Sequence, residues 1–258
     1  MLKKLLRYCY NIIRSFIGWL MLRKNRYCNV IYFHDVVKSD GYSYMRIEKD
    51  KFVTFMDYIS DNGYKTLRFD DLNNENNIKF DSKSAIITFD DGWLSNYTEI
   101  FDYMKQKGIK YNIFLSIKDI GNNPNFLNWK QVKIMHESGM VGFGTHTYNH
   151  VDASYLTDVE KEIEFTKANE VFERNLGYKP EDFCYPYGYY SEESHEYLSS
   201  HKVYKRIYTS EMMYSYKQHD SIIFGRNAIS DTYSTQYFVM KLKGYMNNYT
   251  ILWRRFKH

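Results

Sequence analysis

Between Asn29 and Lys243, short apolar runs alternate with amphipathic stretches about seven times. Few folds accommodate that order. Strands separated by helical segments pair in parallel, each helix crossing back over the sheet. The repetition favours a closed or nearly closed barrel over an open sheet. With 258 residues the chain is long enough for one large α/β domain. No internal repeat and no Pro- or Ser-rich linker divides it, so a single domain is expected over residues 29–245. A helix over residues 1–28 precedes it, and a tail over residues 246–258 follows.

Several elements are legible one by one. Strands are expected at Val30–Phe33, Ala85–Phe89, Tyr111–Leu115, Val141–Phe143, Phe183–Tyr185, Arg206–Thr209 and Ser221–Phe224, with a short one at Lys65–Leu67. Phe52, Phe55, Met56 and Ile59 mark a helix that stops at Gly63, and Tyr97, Ile100, Phe101 and Met104 a helix closed by Gly108. Asn128 caps a helix from Trp129 to about Glu137. Thr157 and Glu160 form a capping-box pattern that opens a long helix to Leu176. The stretch Thr232–Lys243 reads as the last helix.

The run Ala85-Ile86-Ile87-Thr88-Phe89 leads straight into Asp90-Asp91-Gly92. Two carboxylates therefore sit at the C-terminal end of a buried strand, where α/β folds carry their chemistry. Adjacent carboxylates repel unless a proton or a cation lies beside them. About fifty residues on, Gly142-Phe143-Gly144-Thr145 ends in His146-Thr147-Tyr148-Asn149-His150. Two imidazoles four residues apart come together if the chain makes one helical turn there. Two His and one Asp are donors suited to zinc or a similar divalent ion, and three protein ligands leave a position open, as catalytic sites require. Asp91, His146 and His150 are the candidate ligands. That leaves Asp90 to take a proton from water at the metal, and a histidine at another strand end, His34, to protonate a leaving amine. The turn at Pro186-Tyr187-Gly188 is a candidate oxyanion contact. Either half of the pattern alone is weak. Together, each after a short apolar strand, they argue considerably more strongly for metal-assisted hydrolysis, against helix capping by Asp90-Asp91, ordinary loop histidines and a hydrogen-bonded core histidine at His34.

Composition narrows the partners. A net charge of +4 argues against nucleic acid, which calls for a basic stripe. Aromatic residues make up 19% of the chain and 27 of them are Tyr; this suits sugar faces, but it also fits a general compositional bias. Cys9, Cys28 and Cys184 are too few and too scattered for a disulfide framework, and Cys184 reads as a core residue. Within Met1–Leu22, Leu2, Leu5, Leu6, Ile12, Ile13, Phe16, Ile17 and Leu20 recur at helical spacing with Lys3, Lys4, Arg7 and Arg14 between them. Arg14 breaks any spanning run, and no small-residue cleavage site follows. Peripheral contact of residues 1–26 with an anionic membrane surface is expected, with the cytoplasmic side favoured. A helix packed on the domain and a signal anchor are the alternatives.

These residues also bear a family resemblance. Thr88-Phe89-Asp90-Asp91-Gly92, His146-Thr147-Tyr148-Asn149-His150 and Tyr185-Pro186-Tyr187-Gly188, in that order, resemble the three motifs of the polysaccharide deacetylases (carbohydrate esterase family 4, the NodB-homology domain). The resemblance covers roughly residues 29–243. It implies a distorted (β/α)7-type barrel and a divalent metal, most often zinc, with cobalt, nickel or manganese as alternatives. It implies removal of N-acetyl groups from the amino sugars of a glycan. By the same resemblance Asp90 is the base, Asp91, His146 and His150 are the metal ligands, and Pro186, Tyr187 and Trp93 line the substrate groove. Two features depart from the pattern. The Arg that often opens the third motif is replaced in the region of Phe183 and Cys184. The usual C-terminal Leu-x-His motif is missing. In the subgroup that acts on poly-β-1,6-N-acetylglucosamine the acid histidine comes from near the N-terminus, and Tyr32-Phe33-His34-Asp35 resembles that arrangement. O-acetyl ester cleavage, amide hydrolysis off sugars, and a non-catalytic glycan-binding module are the competing readings.

Overall fold

The computed structural model describes residues 28–38, 45–74, 79, 81, 83–200 and 203–247. The helix expected over residues 1–28 lies outside them but for Cys28, as does the tail beyond residue 247.

The strands are β1 (Asn29–Phe33), β2 (Asp35–Val37), β3 (Arg46–Glu48), β4 (Lys65–Thr66), β5 (Ser84–Phe89), β6 (Tyr111–Leu115), β7 (Val141–Thr145), β8 (Asp182–Cys184), β9 (Arg206–Tyr208), β10 (Tyr216–Gln218), β11 (Ser221–Phe224) and β12 (Arg226–Ala228). The helices are α1 (Lys49–Asp61), α2 (Ser95–Thr98), α3 (Phe101–Gln106), α4 (Trp129–Glu137), α5 (Asp158–Lys161), α6 (Ala168–Leu176), α7 (Glu192–Ser200) and α8 (Thr235–Leu242). The helix expected around Tyr97–Met104 is broken into α2 and α3. The long helix opened by the Thr157–Glu160 capping box is present but passes through a π-helical stretch, Glu162–Lys167, between α5 and α6.

The main sheet runs β12-β1-β5-β6-β7-β8-β9-β11-β10, with β4 beside β5. Every pairing from β12 to β11 along that path is parallel; β10 alone joins antiparallel, as a hairpin on β11. β11 and β12 are separated by Gly225 alone. The chain pairs with β9 before that residue (Phe224 opposite Tyr208) and with β1 after it (Arg226 opposite Val30). One bent strand thus closes the cylinder, and the staves are β1, β5, β6, β7, β8, β9 and β11/β12. This is the distorted (β/α)7 barrel. At Gly225 a Cβ would meet the Met213 carbonyl oxygen at 2.2 Å, so the bend needs glycine.

Alternation along the strands sorts the core into layers. Val30, Ile86, Phe114, Cys184, Tyr208 and Phe224 cluster inside the barrel. Ile31, Phe33, Ile87, Phe89, Ile113 and Leu115 face outward against Phe52, Phe55 and Met56 of α1, Met104 of α3, Val132 and Met135 of α4, and Phe238 of α8. Met246 and Asn247 are buried, and the Asn247 amide donates to Asn29 Oδ1 at 3.2 Å. The packed domain therefore extends past residue 245. Among the described residues no helix is long and apolar enough to cross a membrane.

Candidate metal centre

The parallel register places the C-terminal ends of β1, β5, β7 and β8 on one face of the barrel. His34, Asp90, His146 and Pro186 follow directly or within two residues. The strand ladder continues past the strand ends: Asp90 N–H donates to Phe33 O (3.0 Å), His146 N–H to Leu115 O (2.9 Å) and Ser116 N–H to Asp91 O (3.1 Å).

Asp91, His146 and His150 meet there, with one ligand atom from each within 4.8 Å of the others. Asp91 Oδ1 lies 3.0 Å from His150 Nε2 and 3.6 Å from His146 Nε2. His146 Nδ1 is 2.7 Å from the Cys184 carbonyl oxygen. That contact makes Nδ1 the protonated nitrogen and turns the Nε2 lone pair toward Asp91. Asp91 Oδ1 is buried, and the polar atoms that face it are the two imidazole nitrogens. A buried anionic oxygen between two imidazole nitrogens is what a divalent cation satisfies, so the donor set fits one. Burial pushes the His146 imidazole down to about 4, against the pull of Asp90 and Asp91. Burial also works against a charged His150, but its bond to Asp91 and the charges of Asp91 and Asp90 prevail and raise it. The Asp91 carboxyl, despite burial, is held well below the usual range by His150 and His146.

The turns that present these groups are strained. Among the described residues, non-glycine residues with positive φ are Asp91 (73°), Thr147 (62°), His150 (57°), Tyr187 (59°) and His219 (51°). All but His219 belong to this site, and each left-handed residue costs on the order of 1–3 kcal/mol. The His146–His150 segment is therefore not the helical turn expected from its spacing. It is an irregular loop held from outside by Glu164. That buried carboxylate accepts the backbone N–H of Tyr148 (3.0 Å) and of Asn149 (2.8 Å) through Oε2, and the Asn149 side-chain amide (2.6 Å) through Oε1. Glu164 lies in the π-helical stretch, a distortion frequent at functional sites.

Asp90 is fully engaged. Arg226 Nη1 donates to its Oδ1 at 2.7 Å and Nη2 to its Oδ2 at 2.8 Å. Arg226 is itself buried. It donates further to the Thr209 carbonyl (3.0 Å), Thr88 Oγ1 (3.2 Å) and Cys184 Sγ (2.9 Å), and it stacks 4.3 Å from the Tyr32 ring centre. Burial alone would raise the Asp90 carboxyl; the Arg226 charge and fork lower it instead, with help from His146 and His34. The guanidinium absent from the third motif is thus supplied by β12. His34 Nε2 lies 3.8 Å from Asp90 Oδ2, beside the edge of Tyr32. Asp35, next to His34 in the chain, is engaged elsewhere: it accepts from Ser95 Oγ (2.6 Å) and pairs with Arg46 (3.3 Å).

Pro186 is buried, while Tyr187 is exposed with its ring edge-on to His150 at 4.9 Å. Trp93 is half-buried, stacks on Phe126 and donates its indole N–H to Asp91 Oδ2 at 2.9 Å. From Trp93 a groove of about 470 Å³ runs between Asp35, Val36, Arg46, Ser95 and Asn125. Arg226 and Glu164 were not legible as site residues. The one signal for Arg226 was the missing third-motif arginine, which left a buried carboxylate without a partner.

The family profile for polysaccharide deacetylase matches residues 77–205. A Bacillus subtilis (strain 168) protein described as a polysaccharide deacetylase, YxkH, is 30% identical over 179 residues, 69% of this chain and 62% of its own length. The chain therefore spans less than two thirds of that relative. Among solved structures, the Streptococcus pyogenes deacetylase PplD superposes with a TM-score of 0.75 at 18% identity, over 84% of this chain and 99% of that one. IcaB from Ammonifex degensii superposes with a TM-score of 0.71 at 22% identity, over 85% and 97%. Both likenesses are of fold.

Proposed function

The chain belongs to the polysaccharide deacetylase family, and on that footing we propose that it is a metal-dependent hydrolase that removes N-acetyl groups from amino sugars of a glycan. The observation that carries this reading is the meeting of Asp91 Oδ1, His146 Nε2 and His150 Nε2 beside the Asp90–Arg226 pair and His34. Asp91, His146 and His150 would hold the cation, zinc being the best match to two imidazoles and a carboxylate. When bound, a divalent cation polarises the acetyl carbonyl and acidifies water.

The remaining steps belong to side chains. Asp90, kept ionised by Arg226, accepts a proton from the water that attacks the carbonyl carbon. His34, 3.8 Å from Asp90, donates a proton to the amide nitrogen as the C–N bond breaks. Acetate and a free sugar amine result. Tyr187 and the groove beside Trp93 are suited to neighbouring sugar rings, which present apolar faces and hydroxyls.

Acetate release from N-acetylglucosamine oligomers and from O-acetylated xylan, measured with metal-stripped and metal-restored protein, tests the reading. Metal-dependent release from the oligomers is expected, and its loss in Asp90→Asn. Release from xylan alone would make the chain an O-acetyl esterase. No metal binding and no release would leave a glycan-binding module.

A further inference from the structure

Trp93 stands at the groove, where an indole would ordinarily be a sugar platform. Its N–H, however, points away from the groove to Asp91 Oδ2, 2.9 Å off. The ring cannot easily turn. It stacks on Phe126 with centroids 4.6 Å apart and planes 24° apart. The two residues also form a backbone bridge. On either side Leu94 N–H donates to Asn125 O and Leu127 N–H to Gly92 O, both at 2.9 Å. Gly92, at φ 86°, lets the chain make the turn; a Cβ there would meet Ile120 at 2.9 Å and Leu115 at 3.0 Å. Asp91 thus has one oxygen committed to the indole and the other, Oδ1, buried between His146 and His150, 3.6 and 3.0 Å from their Nε2 atoms.

We propose that Trp93 is a positioning residue of the metal centre: its indole N–H pins Asp91 Oδ2 so that Oδ1 alone is offered to a divalent cation. The proposal rests on the metal reading above. Partners that orient metal ligands in this way change affinity by roughly 10- to 100-fold when removed. A carboxylate held at one oxygen is biased to ligate through the other. Freed, it can swing or bind through both.

The test compares Trp93→Phe with the wild type as metal-stripped proteins, titrated with Zn2+ against a chromophoric chelator and separately with Co2+. Phenylalanine removes the donor while keeping an aromatic ring, though a smaller one, against Phe126. The variant should bind Zn2+ roughly 10- to 100-fold more weakly, and its Co2+ absorption should weaken as Asp91 adds a second oxygen to the coordination. Equal affinity and an equal spectrum in both proteins would overturn the role of Trp93 while leaving the metal site standing. A wild-type protein that binds neither ion would overturn both. If the variant does not fold, indole-proton exchange in Zn2+-loaded, 15N-tryptophan-labelled wild type decides the matter. A slowly exchanging Trp93 N–H supports the pin and a freely exchanging one overturns it.

Discussion

Arg226 grips both oxygens of Asp90, at 2.7 and 2.8 Å, across 136 residues of sequence. The pair is buried, and a bidentate fork is the geometry in which such a pair is most favourable. The contact keeps a desolvated carboxylate ionised and aims it, at the cost of part of its basicity.

Arg226→Lys keeps a charge but loses the fork. A hydrogen bond to a charged group is worth about 1.5–3 kcal/mol, so kcat should fall by roughly 10- to 100-fold. Arg226→Met leaves Asp90 buried and unpaired, which costs about 3–5 kcal/mol of stability. Without the guanidinium, burial raises the Asp90 carboxyl, so the acid limb of the pH–rate profile should move to higher pH. An unmoved limb would show that Asp90 is not the group being titrated.

Metal affinity should depend on pH through one proton. His146 is pushed down to about 4 and is already neutral at pH 6. His150 is raised above its ordinary value by Asp91 once burial is overcome, so a cation must displace its proton. Affinity should rise with pH until His150 is neutral, then level off. Calorimetry in buffers of different ionisation enthalpy should count about one proton released per ion below that point and none above it.

Glu164→Gln should weaken the metal site without touching a ligand. The amide can turn an N–H toward the donors of Tyr148 and Asn149, which costs about 1–3 kcal/mol of lost and mismatched bonds. The left-handed turn at Thr147 and His150 then lacks its brace. Both the melting temperature of the metal-free protein and its zinc affinity should fall. A normal affinity would mean that the loop holds its own shape.

His34→Gln should lower kcat on N-acetyl substrates by about 100-fold or more, the range of a general acid. On 4-nitrophenyl acetate the loss should be far smaller, because that leaving group departs without a proton. Equal losses on both substrates would remove His34 from the acid role and leave it a neighbour of Asp90.

Much of this was readable along the chain because the signals are local. Ala85–Phe89 is apolar at nearly every position, and the acids follow it directly; Val141–Thr145 delivers His146 in the same way. The parts that escaped are those fixed by tertiary packing. β12 is three residues, Arg226-Asn227-Ala228, with no apolar pattern to mark it as a stave. Glu164 sits in what reads as an ordinary solvated helix, yet it is buried in the π-helical stretch and bonded to the histidine loop. The His-x-x-x-His spacing suggested a helical turn, whereas left-handed residues at Thr147 and His150 bring the rings to 5.0 Å between centroids. Trp93 was expected at the groove from its sequence, but the direction of its N–H depends on the stack with Phe126, more than thirty positions away.

The bend at Gly225 ties closure of the cylinder to the charge balance of the site. Arg226 is the first residue after the bend, so the movement that seals the cylinder is the one that brings a counter-charge to Asp90. Short of that contact Asp90 would be buried either as an unpaired charge or as a neutral acid, and both disfavour a form ending before β12. The carboxylate proposed to take the proton in hydrolysis is thus also bonded across the seam of the barrel: a chain cut short of residue 226 lacks both the closing strand and this contact and should fail to reach a stable compact state.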